Sequence, residues 1–341
     1  MDRILVVVPN WFGEALFATP FLRALRRQCP AAHIAVLGWP QAHEVLRDNP
    51  HVNELLTYDE RDSHKGLAGK WRLIAELRQH TFDTAFILRK SFSRTLLLAL
   101  AGIRVRVGFD NPKSSWLLTH RAAVSKTPVH KAASYLPLLR AVGLRAEDGP
   151  YDYMVSEQER AEARALLTAR GMHAEQPLVV LHPGANWLHK RWLPERFAAL
   201  GDRLVEARHV HVALTGGPDD VPLAESIHRQ MRHPVTLLAG RTSLRQLAAC
   251  LEHASLVVSN DTGVLHIAAA LRRPVAALYG PTSPQLTGPL GDPARIIVMH
   301  HPESCPRIPC YSPEHPPHLG MAAISVEEAF AAACRLLDNN R

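Results

Sequence analysis

The chain has 341 residues, 47% of them hydrophobic and 21% charged, proportions that are ordinary for a soluble globular protein. At this length we expect two domains rather than one core. No run approaches the roughly 18 apolar residues of a membrane span. The first residues, Met1 to Val8, lead straight into a strand and do not read as a signal peptide. We therefore expect a cytoplasmic protein.

The net charge of +7 is unevenly distributed. Residues 1–150 hold 21 Lys and Arg against 13 Asp and Glu, and the remainder holds 18 against 19. The excess is densest between Arg61 and Lys131. It indicates either a solvated basic surface or an anionic partner, such as a phosphorylated glycolipid or an acidic membrane surface. The chain carries no nucleic-acid-binding motif and few interleaved aromatics, so we expect no nucleic acid partner.

In the first half, strands alternate with helices. The predicted strands are 3–8, 33–38, 52–58, 82–88, 104–108 and 151–155. The predicted helices are 14–28, 40–48, 68–80, 91–101 and 130–143. Pro20 either begins a helix after Thr19 or kinks one.

The second half repeats the alternation. The predicted strands are 178–182, 209–215, 235–239, 256–259, 275–279 and 295–299. The predicted helices are 157–170, 194–207, 221–232, 243–253, 263–271 and 326–338. Such alternation predicts parallel sheets with right-handed crossovers. Two consecutive sets predict two Rossmann-like domains, with the boundary in the polar stretch 147–175.

The most informative segment runs from Ser259 to Ala270. An apolar strand ends there in Asp261, Thr262 and Gly263, and an alanine-rich helix follows. Open α/β sheets bind ligands at the carboxyl ends of their strands. Either Asp261 or Thr262 can cap the helix, and the free N–H groups at its start suit a phosphate.

Three separated motifs resemble glycosyltransferase family nine, the bacterial ADP-heptose:lipopolysaccharide heptosyltransferases. One is Asp-Thr-Gly-x-x-His-x-Ala-Ala-Ala at 261–270, followed by Gly-Pro-Thr-x-Pro at 280–284 and Gly-Pro-Leu-Gly at 288–291. The second is Pro-Asn-Trp-Phe-Gly-Glu-Ala-Leu at 9–16, continuing through 19–25. The third is His-Pro-Gly-Ala-Asn at 182–186, continuing to Lys-Arg-Trp at 190–192. They lie in the right order across nearly the whole chain.

The resemblance implies an α/β fold of the GT-B type, with two Rossmann-like domains whose parallel sheets face a central cleft. We therefore expect an N-terminal acceptor-binding domain over 1–160, and a nucleotide-sugar-binding domain over 161–325. A final segment, 326–341, would contain a helix that packs back on the first domain.

On the donor side, the resemblance assigns Lys190 and Asn186 to the donor phosphates, and Thr262 with Gly263 to a second phosphate cradle. Asp261 resembles a residue that contacts the donor sugar. His266 is either a packing histidine or a hydrogen-bonding partner of phosphate or sugar. After another strand, Asp220 or its neighbour Asp219 is the candidate nucleoside contact, although an ordinary loop also explains this turn. Lys190 would also neutralise charge on the departing nucleotide.

On the acceptor side, Glu14 follows Gly13 after the first strand. A sugar hydroxyl needs a base during attack, and a carboxylate at a strand end suits that role. The family usually has aspartate here, so the extra methylene of glutamate alters the reach of the group. The alternative is a glutamate favoured by the helix dipole. We expect Asn10, Trp11, Arg61 and Lys65 to contact the acceptor.

We expect no metal or other cofactor. No Asp-x-Asp pair occurs that would hold a metal against a diphosphate, which favours metal-independent transfer. The chain has five cysteines, and an odd number argues against a disulfide framework. Cys305 and Cys310 lie near His300, His301, His315 and His318, but the cysteine spacing is unusual for structural zinc.

The prediction is an inverting transfer of heptose from ADP-heptose to the inner core of lipopolysaccharide, at the cytoplasmic face of the inner membrane, with peripheral membrane association. One alternative is a transferase of the same fold with another nucleotide-sugar or glycan acceptor. Another is a non-catalytic protein that binds glycolipid or nucleotide-sugar. A dinucleotide-dependent oxidoreductase is disfavoured because the first strand leads into no Gly-x-Gly-x-x-Gly.

Overall fold

The computed structural model describes residues 1–173, 175–304, 308–310 and 319–339. The chain divides into two compact units, Met1–Met154 and Val155–Arg341. The unit boundary therefore lies at 154/155, where the sequence predicted 160/161. Within the described ranges, no helix is long and apolar enough to cross a membrane.

The first unit holds a six-stranded parallel sheet. Its strands are β1 (Arg3–Val7), β2 (His33–Gly38), β3 (Glu54–Thr57), β4 (Thr84–Ile87), β5 (Val105–Phe109) and β6 (His120–Ala122). Its helices are α1 (Phe12–Leu16), α2 (Thr19–Gln28), α3 (Pro40–Leu46), α4 (Gly66–Gln79), α5 (Phe92–Leu100) and α6 (Pro137–Arg140), with 3₁₀ turns at Ser115–Leu117 and Ala133–Tyr135. The strand order is β3-β2-β1-β4-β5-β6, the order of a Rossmann sheet.

The second unit repeats this plan. Its strands are β7 (Leu178–His182), β8 (His211–Leu214), β9 (Thr236–Leu237), β10 (Ala254–Asn260), β11 (Val275–Tyr279) and β12 (Ile296–His300). Its helices are α7 (Glu157–Ala169), α8 (Pro194–Arg208), α9 (Val221–Gln230), α10 (Leu244–Glu252), α11 (Gly263–Ala270), α12 (Pro284–Thr287), α13 (Leu319–Ala323) and α14 (Val326–Asp338). Short 3₁₀ turns occupy Leu188–Lys190, Pro218–Asp220, Pro293–Arg295 and Pro302–Ser304.

The second sheet is also fully parallel, in the order β12-β11-β10-β7-β8-β9. When the strands are renumbered from β7, this is the same topology as in the first unit. The central strands are covered on both faces, since every residue of β7 and β11 is buried. The predicted pair of Rossmann-like units with parallel sheets is confirmed.

Three local predictions in the first unit are wrong. Residues 151–155 are not a strand, because the backbone N–H of Asp152 donates to the Thr19 hydroxyl (2.9 Å) instead of to a neighbouring strand. The sixth strand is β6, which is too short and polar to read from sequence. The predicted helix 14–28 is two helices, and Pro20 occupies the first turn of the second.

The C-terminal helix α14 belongs to the second unit. The apolar side of α14 lies in the core of the second unit, where Ala329, Ala333 and Leu336 pack with strands β10 and β11. Its outer side is tied to α8 by ion pairs, Arg208 to Asp338 (2.8 Å) and Arg203 to Glu327 (2.9 Å). The helix therefore completes the core of the second unit, and its predicted packing on the first domain stays a prediction.

Candidate active site

The sheet of the second unit has its topological switch point between β7 and β10. These strands are neighbours, but the chain continues from β7 to β8 on one side, and from β10 to β11 on the other. Ligands of open α/β sheets bind at the carboxyl ends of such strands. The loop after β7 carries Lys190, and β10 is followed directly by Asp261. Topology therefore brings two distant segments of sequence to one place.

Lys190 and Asp261 form an ion pair at this point. The Lys190 Nζ lies 2.6 Å from Asp261 Oδ2, and the hydroxyl of Thr282 donates to the same oxygen at 2.7 Å. The other carboxylate oxygen lies 3.8 Å from His266 Nε2. The side chain of Asp261 is 6% exposed and that of Lys190 is 21% exposed. Burial by itself would raise the pKa of Asp261, but Lys190, His266 and Thr282 together hold that pKa below its usual value.

The start of α11 adds a partial positive charge beside this pair. Thr262 is the N-cap, and its hydroxyl accepts from the backbone N–H of Leu265. Gly263 is the first helical residue, and α11 is buried along most of its length. An ammonium group beside a helix N-terminus suits a phosphorylated ligand. His266, one turn into the helix, is 3% exposed.

The loop after β7 is short and held by its neighbours. The Lys190 ammonium lies 5.3 Å from the centre of the Trp187 ring, a cation–π contact. The guanidinium of Arg191 donates to Ala185 O (2.9 Å) and to Asp220 Oδ1 (3.0 Å). Asn186 is exposed on the same loop. Of the two residues predicted to bind the donor phosphates, Lys190 is therefore partly buried and paired with Asp261. No contact among the described residues holds the side chain of Asn186 in place.

Asp220 joins the loops after β7 and β8. Besides its pair with Arg191, its carboxylate accepts from the backbone N–H of Gly217 (3.0 Å). A Cβ placed on Gly184 would lie 2.3 Å from Asp220 Oδ2. The carboxylate thus has a structural role that the sequence did not indicate, while its predicted contact with a nucleoside stays a prediction. Asp219 is exposed.

His182, at the end of β7, is buried, with 5% of its surface exposed. Its Nδ1 lies 3.0 Å from the Thr215 hydroxyl, which links β7 to the end of β8. Burial lowers the pKa of His182 to about 4, so the ring is neutral near pH 7. This histidine of the His-Pro-Gly motif therefore acts as a packed, uncharged hydrogen-bonding group beneath the loop.

In the first unit, the residues after β1 are held by Arg94. This arginine of α5 is 4% exposed; its guanidinium donates to Asn10 Oδ1 and to Val8 O (3.1 Å), and lies 3.6 Å from Glu60. Burial lowers the pKa of Arg94, and Glu60 opposes the shift. Arg94 lies in the basic stretch 61–131, which the sequence predicted to be either a solvated surface or a site for an anionic partner. Asn10, which we predicted to contact the acceptor, is also buried and is 9% exposed.

Glu14 lies in α1, directly after this loop. Its carboxylate is 3.5 Å from the ammonium of Lys131, and the two side chains are 35% and 41% exposed. Trp11 is 51% exposed beside it. Burial, followed by the negative charge of Glu14, raises the pKa of the Tyr135 hydroxyl. Lys131 is a second residue whose pairing the sequence did not predict.

The remaining predicted acceptor residues follow β3. Arg61 is exposed and stacks on the ring of Trp39, with its guanidinium carbon 4.5 Å from the ring centre. Lys65 is exposed at the N-cap of α4. Both lie at the carboxyl edge of the first sheet, as Asn10, Trp11 and Glu14 do.

No cluster of three or more metal-ligating side chains occurs among the residues that the structure describes. His301 instead contacts Glu303 (3.0 Å) and Glu328 (2.9 Å). Cys310 is a free thiol whose backbone N–H donates to Pro281 O. Cys305, His315 and His318 lie outside the described residues.

The chain is similar to known glycosyltransferases. The model of glycosyltransferase family 9 (heptosyltransferase) matches residues 70–314. Lipooligosaccharide heptosyltransferase 2 of Haemophilus influenzae is 30% identical over 308 residues, covering 87% of this chain and 88% of the relative. Lipopolysaccharide heptosyltransferase 2 of Escherichia coli is 29% identical over the same shares.

A solved structure described as E. coli ADP-heptose lps heptosyltransferase II is similar along the chain. Its TM-score is 0.81 at 26% identity, covering 99% of this chain and 98% of that one. The family match spans well over half of the sequence and includes the Lys190–Asp261 site. This chain therefore belongs to glycosyltransferase family 9, the heptosyltransferases.

Proposed function

We propose that this enzyme transfers heptose from ADP-heptose to a sugar hydroxyl of the lipopolysaccharide inner core, with inversion at the anomeric carbon. The relatives' names support the acceptor, and the name of the similar E. coli structure supports the donor. The observation that carries the proposal is the Lys190–Asp261 pair beside the N-terminus of α11. It supplies a partly buried cation where a diphosphate would bind.

The donor half of the mechanism uses Lys190. Its ammonium and the first N–H groups of α11 bind the diphosphate, with Asn186 adding a polar contact. As the bond between the anomeric carbon and the phosphate oxygen breaks, its electron pair leaves with ADP. Lys190 stabilises that growing negative charge, the main electrostatic demand of the step. Asp261 keeps the ammonium in place before the donor arrives, and it offers an oxygen to the sugar hydroxyls.

The acceptor half uses Glu14. The acceptor hydroxyl forms the new bond to the anomeric carbon from the face opposite ADP, and its proton passes to the Glu14 carboxylate. The ammonium of Lys131, 3.5 Å away, holds the Glu14 carboxylate in position for this role. Asn10, oriented by Arg94, and the exposed Trp11, Arg61 and Lys65 contact the acceptor glycan. The reaction would take place at the cytoplasmic face of the inner membrane.

The test is ADP release from ADP-heptose, measured with and without a truncated lipopolysaccharide acceptor. We expect acceptor-dependent release by the wild type and by Glu14→Asp, and a loss of about 100-fold or more in Glu14→Gln. Glu225→Gln, which removes an exposed carboxylate in the second unit, is the matched control and should retain full activity.

A second arm tests the leaving-group role. Lys190→Ala should lower kcat by about 100-fold, whereas Lys113→Ala, at an exposed lysine, should not. Wild-type enzyme that binds ADP-heptose without releasing ADP would contradict the proposed reaction. Equal release from a different nucleotide-sugar would favour the alternative transferase.

A further inference from the structure

Helix α4 of the first unit exposes an apolar stripe. Leu67 is 77% exposed and Trp71 is 57% exposed, one helical turn apart, and Ala75 continues the same face. The opposite side of the helix buries Leu73 and Leu77 in the core. The stripe is therefore additional to the face that the fold requires, and large exposed apolar side chains on one face indicate contact with a partner.

The residues around the stripe are basic. Lys65 and Arg72 are exposed and Lys70 is half-buried. The first acidic residue of the helix is Glu76, and Asp62 is the one acid between Arg61 and that position in the sequence. We call Lys65, Leu67, Lys70, Trp71 and Arg72 the α4 patch.

We propose that the α4 patch docks the enzyme on an anionic lipid surface. Tryptophan and leucine insert at the boundary between headgroups and acyl chains, while lysine and arginine extend their charges to the lipid phosphates. Because the α4 patch is positively charged, an anionic lipid surface complements it better than a second copy of the chain would. A two-fold contact through the patch would place Lys70 and Arg72 against their own counterparts, and like charges oppose such a contact.

The position of the patch fits the proposed reaction, on which this part of the inference rests. Helix α4 follows the loop after β3, so its first two turns lie toward the carboxyl edge of the sheet. Glu14 follows β1 at the same edge. The loop after β4 adds exposed Arg89 and Lys90 there. A docked α4 patch would hold this edge next to the sugars of a lipid-anchored acceptor.

The experiment is co-sedimentation of the full chain with vesicles that contain neither donor nor acceptor. One set is phosphatidylcholine and the other is phosphatidylcholine with phosphatidylglycerol. We expect binding to the anionic set that weakens as salt is added. The double variant Leu67→Ser/Trp71→Ser should bind at least about tenfold more weakly, because both apolar anchors are lost.

Trp116→Ser is the matched control. Trp116 is 68% exposed in the same unit, but its neighbour Leu117 accepts from Arg106 near the amino end of β5, at the opposite edge of the sheet. The control should bind as the wild type does. Every changed side chain is on the surface, and circular dichroism and thermal unfolding of both variants and the wild type check that the fold is intact.

Two outcomes overturn the docking proposal: no binding of the wild type to anionic vesicles, or binding of Leu67→Ser/Trp71→Ser equal to the wild type. ADP release with a deacylated, soluble acceptor separates this result from the proposed function. Release without vesicle binding would refute the docking surface and leave the transferase intact. Vesicle binding without ADP release would support the docking surface and contradict the proposed transfer reaction.

Discussion

The ammonium of Lys190 lies 2.6 Å from the carboxylate of Asp261, although the two residues are 71 positions apart in the sequence. Only 6% of the Asp261 side chain is exposed, so little water screens the pair. The carboxylate of Asp261 also accepts a hydrogen bond from the hydroxyl of Thr282. This relationship explains how the side chain of Lys190 is oriented in a partly buried site.

Removing the carboxylate should therefore affect both stability and activity. We expect Asp261→Asn to lower the free energy of unfolding by about 3 kcal/mol, the lower end of the cost of breaking a buried pair, because Lys190 can still reach water. ADP release should fall by at least about tenfold as Lys190 loses its orientation. Urea unfolding and initial-rate assays measure the two effects.

The double variant Lys190→Met/Asp261→Asn is the control for this prediction. It leaves no unpaired charge, so most of the stability should return while activity stays low. A double variant that is as unstable as the sum of the two single variants would show that the pair does not couple these residues.

Gly184 should not tolerate even a methyl group. In Gly184→Ala the new Cβ would meet Asp220 Oδ2 at 2.3 Å, which forces the carboxylate away from Arg191. We expect a loss of about 1–3 kcal/mol in stability and weaker binding of ADP, since the loop that carries Lys190 is anchored here. Chemical unfolding and calorimetric titration with ADP provide the measurements.

Gly217→Ala is the comparison for that variant. Its Cβ would lie 3.8 Å from the same oxygen, an ordinary contact, and the backbone there is not left-handed. It should resemble the wild type in both assays. If Gly184→Ala and Gly217→Ala behave alike, the close approach of Gly184 to Asp220 does not determine stability or ADP binding.

Arg94 should be irreplaceable by lysine. Arg94→Lys retains a positive charge, but it cannot donate to Val8 O, Asn10 and Glu60 in the fork geometry of a guanidinium. We expect a loss of about 2 kcal/mol or more in unfolding free energy and a higher KM for the acceptor. The exposed Arg104→Lys should change neither quantity. An unaltered KM in a folded Arg94→Lys would remove Arg94 from the set that positions the acceptor loop.

The start of α7 should make stability depend on acidity. Glu159 accepts from Arg245 (2.7 Å) and completes a capping box with Ser156. Burial acts to raise its pKa, but Arg245 and Ser156 outweigh that effect and lower the pKa to about 2. Because the folded pKa is depressed, the contribution is fully present above the unfolded value, near 4.5, and is lost as the pH falls toward 2.

Glu159→Gln should accordingly be less stable than the wild type by about 3 kcal/mol at pH 7, and the difference should shrink between about pH 4.5 and 2. Urea midpoints across that range measure it. Glu162→Gln, at an exposed residue of the same helix, should show no such dependence. A constant difference between Glu159→Gln and the wild type would rule out the lowered pKa as its cause.

Regular periodicity allowed most of the fold to be predicted. The strands β7 and β11 were predicted with their observed ends, because a buried parallel strand is a short continuous apolar run between turns. The three-residue β6 carries no such run. Residues 151–155 alternate buried and partly exposed side chains as a strand does, but their backbone pairs elsewhere.

The candidate site was predicted less completely. Motifs and strand ends located Lys190, Asp261, Thr262 and Glu14, since polar residues directly after buried strands are typical of ligand sites. Thr282 lies in the 280–284 motif, but its contact with Asp261 was not predicted, nor were the pairing of Lys131 and the burial of Arg94. A basic residue in a charged stretch reads as exposed unless its helical face is known, and in α5 that face turns Arg94 toward the loop after β1.

The sequence by itself determined the alternation of strands and helices, the two Rossmann-like units and the residues available at the strand ends, because these depend on local periodicity and order along the chain. Tertiary structure alone decided which charges meet. Strand order places β10 beside β7 and so joins Lys190 to Asp261, and it likewise assigns α14 to the second unit. Ion pairs between distant segments follow from tertiary packing, and they cannot be predicted from the spacing of residues along the sequence.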